Sequence, residues 1–428
     1  MRRVATAILA ALTGGMPLCL AQAPPSLSRK DAEALALKSH PLIQSSQLNA
    51  LAARQMVTET KAARYPFAYG SLTGAGALSD SRIAAGGLNN PIIYDRYSNG
   101  LTVSQLLTDF GRTHNLVESS NLHAQAQAEN AQATRADVLI EVDRTYYQAL
   151  RAQALLKVAE ETVGERQLVS DQVGELAKSR LKSGLDVSFA NVNLAEAKLM
   201  LVQAQNDVTA AFAQLSAAVG DPETRVYALA DEPMPGAPSA DVSALIAQAM
   251  QNRPELAGLR YDSASAHRFA TAERDLSLPT ISAAATAGFT PVHQAPLTDR
   301  YAAAGVNVTI PIFNGRLFSA RAAEARLRAE AADQNLRQEA DAVARDVHVA
   351  WLNAQTTWQR LALTQQLLDH ASLALDLAQQ RYKLGIGSIV ELSQAQLNQT
   401  QAQIEQSGAR YDYQASIANL DYQVGVRH

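Results

Sequence analysis

The sequence has few of the residues that mark enzymes and nucleic-acid-binding proteins. Of 428 residues, one is cysteine and 5% are aromatic. The eight histidines are scattered, without a His-x-His or His-Glu-x-x-His spacing, so no metal site, other cofactor site or enzyme activity is predicted. The formal net charge is −4 and the basic residues are dispersed, which excludes the basic patch that nucleic acid requires.

Long apolar runs are also missing, which excludes a transmembrane helix after the N-terminus. The segment 1–23 has two arginines and then a short apolar stretch, and is predicted to be a secretory signal peptide. Cleavage is predicted after Ala21 or Ala23, with Ala21 favoured because a proline would follow the other cut. Lipidation of Cys19 is disfavoured, because Leu18 is not the small residue normally needed before it. The mature chain would then contain no cysteine.

What the sequence does have is a duplication. The succession of signals in 95–220 recurs in 300–425. A period this long is not that of a short-repeat solenoid. We therefore predict a first repeat over 24–232, a Pro-rich linker over 233–239 and a second repeat over 240–428. The matching residues are Pro66 with Pro279, Gly100 with Gly305, Gly184 with Gly385, and Gly220 with Gly425.

Each repeat is predicted to contain an amphipathic helix, a β-hairpin, a very long helix and a shorter return helix. The hairpins follow from alternation of apolar with small polar residues, and the long helices from the absence of proline. A helix of about 70 residues spans about 105 Å at 1.5 Å per residue. In chain order the pieces are 29–62, 67–106, 113–182 and 188–219, then 240–276, 280–311, 317–383 and 389–424.

Both long helices carry a mainly apolar stripe whose spacing averages near 3.5 residues, which is typical of coiled-coil packing. The two tryptophans lie on it and are predicted to be core residues. The stripe reads Val138, Val142, Tyr146, Ala149, Gln153, Leu156, Glu160 and Val163, then Val343, Val347, Trp351, Ala354, Trp358, Leu361, Gln365 and Leu368.

Four amphipathic strands per chain cannot close a barrel, and an open sheet edge in lipid leaves backbone groups unpaired at several kcal/mol each. Several chains are therefore expected to share one barrel in the outer membrane, with the helices in the periplasm. Tyr94, Tyr97 and Tyr301, near strand ends, fit an interfacial aromatic belt, with ordinary strand packing as the alternative.

The chain resembles the TolC-like outer-membrane factor family over about residues 28–425. The resemblance rests on the motifs Leu278-Pro279, Ile310-Pro311-Ile312-Phe313-Asn314-Gly315-Arg316, Arg381-Tyr382-Lys383-Leu384-Gly385 and Ala395-Gln396. It implies a fold that is mostly α with a β-barrel portion: a homotrimer with a 12-stranded barrel above a periplasmic α-helical tunnel. It also implies a passive channel of a tripartite efflux or type I secretion system. The implied partners are a periplasmic adaptor and an inner-membrane pump of the resistance-nodulation-division or ABC type.

The main alternative is a periplasmic coiled-coil scaffold or adaptor protein without a pore. The period-two hairpins distinguish the two hypotheses, because a scaffold does not need them.

The resemblance also implies where function lies. The helix–turn–helix tips, Gly184-Leu185 and Gly385-Ile386, would meet the adaptor; the alternative is that the glycines only form the turns. Glu391 would face the pore as a charged constriction, while Gln394 replaces a second acid of the family. The alternative for Glu391 is a solvated glutamate at a helix start.

A closed-state latch is implied at Tyr382. Its usual acidic partner in the family is Ala190 here, so we expect Tyr382 to act with Arg180, Lys182 or Asp186 instead. The second repeat is therefore predicted to carry the gate.

Overall fold

A computed structural model of the chain describes residues 26–76, 78, 95–292 and 298–426. The predicted signal peptide with Cys19 lies outside these residues, and so does Tyr94. None of the described helices combines the length and apolarity needed to cross a bilayer. The helices are α1 (Arg29–Ser39), α2 (Pro41–Ala62), α3 (Arg112–Lys178), α4 (Gly184–Ala218), α5 (Val242–Asn252), α6 (Pro254–Arg274), α7 (Leu317–Lys383) and α8 (Ile389–Val424). The strands are β1 (Ser26–Leu27), β2 (Phe67–Ala75), β3 (Arg96–Thr108), β4 (Ala228–Leu229), β5 (Thr280–Val292) and β6 (Arg300–Thr309).

The first helix of each repeat is broken in two, where a single helix was predicted. The break falls before Pro41 between α1 and α2, and before Pro254 between α5 and α6. Proline has no N–H to donate and disfavours helical backbone in the residue before it, so the chain turns there and restarts. Each break packs against the glycine that ends the return helix of the same repeat. A Cβ on Gly220 would lie 3.0 Å from His40 Cα, and one on Gly425 would lie 3.1 Å from Asn252 Cβ.

The two long helices, α3 and α7, have 67 residues each, so the sequence of one can be aligned on that of the other over its whole length without a gap. The first was predicted to end at residue 182 and its return helix to begin at 188. The structure ends α3 at Lys178 and begins α4 at Gly184. α3 packs mainly on α4 and α6, and α7 on α8 and α6, while α3 also contacts α8 and joins the two repeats.

The predicted coiled-coil stripe is confirmed as far as Ala149, and the residues matching that part in α7 are buried except Trp351, which is half-buried. Beyond this point the prediction was wrong, since Glu160 is exposed and Trp358 is 39% exposed in the single chain. The buried seam of α3 continues instead at seven-residue intervals through smaller and polar side chains. These residues are Ala152, Ala159, Arg166 and Val173. Where two helices lie close together, the side chains buried between them are those that fit the available space, which are not always the largest apolar ones.

Four of the strands form an antiparallel sheet in the order β2-β3-β5-β6. Because directly paired residues point to the same face, the register separates two sets of side chains. One face is apolar and includes Leu101, Val103, Ala285, Val306 and Val308; the opposite face carries small polar residues together with the larger Phe67, Tyr69 and Leu106. Its small polar residues are Ser71, Thr102, Ser104, Ser282, Thr286 and Asn307. The predicted two-faced strands are thus present. β2 and β6 are the edge strands of the sheet within the chain.

Tyr97 and Tyr301 lie on opposite faces of this sheet, so they do not form one belt. Tyr97 pairs with Gly74 on the apolar face. Tyr301 lies on the polar face above Gly100 and Gly288, where an added Cβ would come within 2.6 Å or less of its hydroxyl. For Tyr301 the alternative of ordinary strand packing is the correct one.

The linker side of the molecule is tied to the long helices by polar contacts. β1 and β4 pair in parallel, and the Tyr146 hydroxyl donates to the carbonyls of Leu27 (3.0 Å) and Ala230 (2.6 Å) beside them. Arg29 forms an ion pair with Glu232 at 3.0 Å. These contacts tie the segment between the two repeats to α1 and α3.

Candidate functional site

Both helical hairpins end in the same turn, which covers 179–183 in the first and 384–388 in the second. The Leu181 amide donates to the Leu176 carbonyl (2.9 Å), and the Ile386 amide donates to the Arg381 carbonyl (3.0 Å). This six-to-one hydrogen bond defines a Schellman motif, which requires one left-handed residue after the helix. The left-handed residues are Arg180 (φ 58°) and Gly385 (φ 77°).

The predicted pairing of Gly184 with Gly385 is therefore wrong. Gly184 is the first residue of α4, and an added Cβ there would meet nothing within 4 Å. When α3 is aligned on α7, Ser183 matches Ser388 as the residue that caps the start of the return helix, and Asp186 matches Glu391. The Arg-x-Lys-x-Gly segments at 180–184 and 381–385 are therefore similar in sequence but do not occupy equivalent positions in the two turns.

Apolar side chains surround both turns and point away from the bundle. The predicted tip residues Leu185 and Ile386 are each 65% exposed. Leu181 and Leu384, which the sequence reasoning did not select for the tips, are 70% and 76% exposed. Large apolar residues next to a tight turn are the signal that could have identified them, since such exposed groups mark interaction surfaces when they cluster.

The two acids at the start of the return helices are held differently. Asp186 Oδ2 accepts from the Ser183 amide (2.9 Å) and hydroxyl (2.8 Å), which closes a capping box. The hydrogen bond from the Ser183 amide lowers the pKa of Asp186. Glu391 instead accepts from Arg381 Nε at 2.9 Å, in an ion pair whose members are about half exposed. Gln394 donates to Asn398 along the same helix at 2.9 Å.

Tyr382 lies at the centre of the contact between the two hairpins. Its side chain is 8% exposed, and Lys182 Nζ of the first hairpin lies 3.8 Å from the centre of its ring, a cation–π contact. Burial, and then the negative charge of Asp186, raise the pKa of the Tyr382 hydroxyl. Among the described residues that buried hydroxyl has no hydrogen-bond partner. The tyrosine thus contacts the first hairpin through its ring, and Arg180 contributes its backbone to the turn.

A compact apolar cluster forms around this ring and joins the four helices of the two hairpins, α3, α4, α7 and α8. Its members are Val173, Ala190, Leu375, Ala378, Tyr382, Ile389, Leu392 and Ala395. Removing such a cluster from water is the main force that holds the tips together. Across 26–76, 78, 95–292 and 298–426, no three His, Cys, Asp or Glu side chains converge in a way that could hold a metal ion.

The chain is similar to known proteins over most of its length. The family described as outer membrane efflux protein matches 34–221 and 245–426. The chain is 25% identical over 320 residues to outer membrane efflux protein BepC of Brucella suis biovar 1 (strain 1330), covering 73% of this chain and 68% of that protein. It is 26% identical over 345 residues to outer membrane protein TolC of Vibrio cholerae serotype O1, covering 78% and 77%.

A solved structure of the outer-membrane channel OprN matches with a TM-score of 0.81 at 20% identity, over 93% of this chain and 89% of that one. That likeness concerns the fold. The family match covers both repeats, including both long helices and both tips. The chain belongs to the outer membrane efflux protein family.

Proposed function

We propose that three copies of the chain form a passive outer-membrane channel of a tripartite efflux system. The observation that carries the proposal is the four-stranded sheet whose outer strands, β2 and β6, have no second neighbour among the residues that the structure describes. In lipid such edges cost several kcal/mol per unpaired group, so the sheet needs further strands to close. Three copies supply 12 strands, enough for a closed barrel.

The helices support the same assembly. α3 and α7 would each span about 100 Å, far longer than the sheet, so they would extend well beyond the membrane. α4 and α7 expose leucines and other large apolar residues that a single chain leaves uncovered. These include Val192, Leu199 and Val202 on α4, and Leu352, Leu363, Leu367, Leu373 and Leu377 on α7. Neighbouring copies would bury them and close a tunnel.

The division of the chain and its export belong to the same proposal. The equal lengths of α3 and α7, with the same turn after each, support two repeats, 24–232 and 240–428, joined by 233–239. Export would depend on a signal peptide over 1–23, cleaved after Ala21 or Ala23. The structure does not describe that segment.

The partners of the channel would be a periplasmic adaptor and an inner-membrane pump, which supplies the energy. The exposed Leu185 and Ile386, beside Gly184 and Gly385, would pack against apolar residues of the adaptor. The gate would consist of the Tyr382 cluster with Glu391, Gln394, Asp186 and the Arg180 turn.

Fractionation of cells tests the channel itself. Heat-modifiable trimers in the outer membrane are the expected result, and a purely soluble periplasmic protein would favour the scaffold alternative. A strain without the chain should accumulate an effluxed dye, and the unsubstituted chain should restore export.

The adaptor contact is tested separately by Leu185→Asp combined with Ile386→Asp. Trimers should persist while dye export is lost, because a charge at each tip cannot be buried against an apolar partner. The control is Met234→Asp, which places the same charge at an exposed apolar residue of the linker and should leave export intact. Normal export by the tip variant would contradict adaptor contact but leave the channel proposal standing.

A further inference from the structure

The two β-hairpins of the chain have the same register. Phe67, the first residue of β2, pairs with Ser104, and Thr280, the first residue of β5, pairs with Thr309. Each of these pairing partners lies four residues after the glycine of its own strand that matches in the two repeats. The duplication therefore extends to individual residue pairs of the sheet.

The contact between the two hairpins shows how one repeat joins the next. β3, the second strand of the first hairpin, pairs antiparallel with β5, the first strand of the second hairpin. The counterparts of these joining strands are β6 and β2. Neither has a second neighbour among the described residues. Every residue of β6 is exposed, and so is every residue of β2 except Ala75. The two edges are thus free to repeat the contact between copies.

The contact between β3 and β5 serves as a template for the contact between β6 and β2. Within the chain Ser104 pairs with Ala284. Thr309 is the counterpart of Ser104 in β6. Ser71 is the counterpart of Ala284, because each lies four residues after the first residue of its strand. If β6 joins the next copy as β3 joins β5, Thr309 of one copy pairs with Ser71 of the next.

The apolar residues of the two edges fit this register. Val308 is 52% exposed in the single chain and comes to lie opposite Leu72 of the next copy, which is 78% exposed. Val306 comes to lie opposite Gly74, where an added Cβ would meet nothing within 4 Å and the branched side chain has room. Cross-strand pairs of this kind stabilise a sheet, and here they continue the apolar face from one copy to the next.

The polar residues of the two edges fit the same register. Thr102 and Thr286 pair within the chain, and their hydroxyl oxygens lie 3.1 Å apart. The counterparts of these residues are Asn307 and Thr73, which can form the same hydrogen bond between copies. In the single chain the Asn307 amide donates to Thr309 on its own strand at 3.0 Å, which leaves its side-chain oxygen for Thr73. A shift by one residue would bring apolar residues opposite polar ones along the whole edge.

We propose that β6 of one copy pairs antiparallel with β2 of the next in the register that β3 has with β5. Thr309 pairs with Ser71, Val308 with Leu72 and Asn307 with Thr73. Each copy offers its β6 edge to one neighbour and its β2 edge to the other, so three such contacts close the sheet. The partner surface is therefore a second copy of this chain, and the inference rests on the trimeric channel proposed above.

The test is disulfide cross-linking of the full-length chain in the outer membrane. One double variant carries Thr309→Cys with Ser71→Cys, and another carries Val308→Cys with Leu72→Cys. Two pairs are needed because the pairs on one face of an antiparallel ladder lie closer together than those on the other. Within one chain β2 and β6 are about 14 Å apart, since two strands separate them, and a disulfide needs Cα atoms within about 7 Å. Any disulfide therefore joins different copies.

The controls shift the register by two residues on the same face. They combine Thr309→Cys with Thr73→Cys, or Thr309→Cys with Tyr69→Cys. The unsubstituted chain, whose one cysteine is Cys19, gives the background. After boiling without reductant, at least one predicted pair should give a covalent trimer that reductant dissociates. Each shifted pair should give about tenfold less, because diagonal neighbours lie about 7–8 Å apart.

The outcomes separate this register from the channel itself. The register is overturned if a shifted pair cross-links more fully than both predicted pairs. It is also overturned if the double variants form heat-modifiable trimers and neither predicted pair cross-links. Both results leave the trimeric channel standing. Absence of heat-modifiable trimers of the unsubstituted chain would instead overturn the channel and the register together. If one predicted double variant does not reach the membrane, the other decides.

Discussion

The tip of the first hairpin, residues 176–186, and the tip of the second, residues 381–391, share a backbone but not their side chains. Both use the same six-to-one hydrogen bond, and in both a serine caps the start of the return helix. In the first tip the acid bonds back to that serine, whereas in the second it pairs with the preceding helix. Ala177 in the first occupies the place of Tyr382 in the second.

The difference shows how a duplicated hairpin can be specialised without a change of fold. The first tip satisfies its own polar groups and so forms a self-contained turn. The second places a large ring in the contact between hairpins and an ion pair at its surface. The following experiments test whether that division of roles is real.

The largest effect is expected from Tyr382→Ala, which empties the centre of the tip cluster. Loss of a buried aromatic ring should destabilise the tips by about 3 kcal/mol and raise the single-channel conductance of the closed state in planar bilayers. Tyr382→Phe should conduct like the unsubstituted channel, because the hydroxyl has no hydrogen-bond partner among the described residues. Tyr65→Ala, at an exposed tyrosine, is the control. If Phe and Ala substitutions opened the channel equally, a hydrogen bond and not ring packing would be the latch.

A smaller effect is expected where the two turns differ in their left-handed residue. Gly385→Ala should lower stability by about 1 kcal/mol, because a Cβ disfavours positive φ. Arg180→Gly should instead raise stability, because glycine relieves the strain that Arg180 bears at φ 58°. Thermal unfolding followed by circular dichroism measures both. If both substitutions changed stability in the same direction, the two turns would not be equivalent in solution.

Asp186→Ala should remove the capping box of the first tip at a cost of about 1 kcal/mol near neutral pH. The pKa of Asp186 is lowered in the folded state, so its stabilisation is complete above the unfolded value of about 4 and is lost as the pH falls through the lower folded value. The difference in melting temperature between the unsubstituted chain and Asp186→Ala should therefore be full at pH 6 and shrink at acid pH below 4. A difference that grew on acidification would refute this linkage.

The smallest effect on stability is expected at the second acid. Glu391→Gln breaks a half-exposed ion pair with Arg381, which contributes about 0.5 kcal/mol or less. If three copies of Glu391 line the pore, the same variant should lower the cation selectivity measured from reversal potentials. Glu330→Gln, which breaks an exposed ion pair with Arg326 on α7 away from the tips, is the comparison and should leave the selectivity unchanged. Unaltered selectivity in Glu391→Gln would assign Glu391 to the helix start alone.

The sequence predicted most of the long elements because their signals are local and periodic. The alternation around Leu101 and Val103 established both faces of the sheet, and the proline-free stretches established α3 and α7. It could also have given the correct tip register. Ser183 and Asp186, like Ser388 and Glu391, have the three-residue spacing of a capping box. The prediction relied instead on the similar sequence motifs that end at Gly184 and Gly385, and these two glycines do not occupy equivalent positions.

Tertiary structure decided the features that depend on distant residues. Amino-acid order alone determined the duplication, the strand faces and the presence of the two long helices, because each arises from neighbours in the chain. It did not determine that the lower seam of α3 runs through Ala159 and Arg166. Nor did it determine that Lys182 lies over Tyr382, or that Arg166 donates to Thr400. Those contacts join residues of different repeats, and only the packing of one hairpin on the other brings them together.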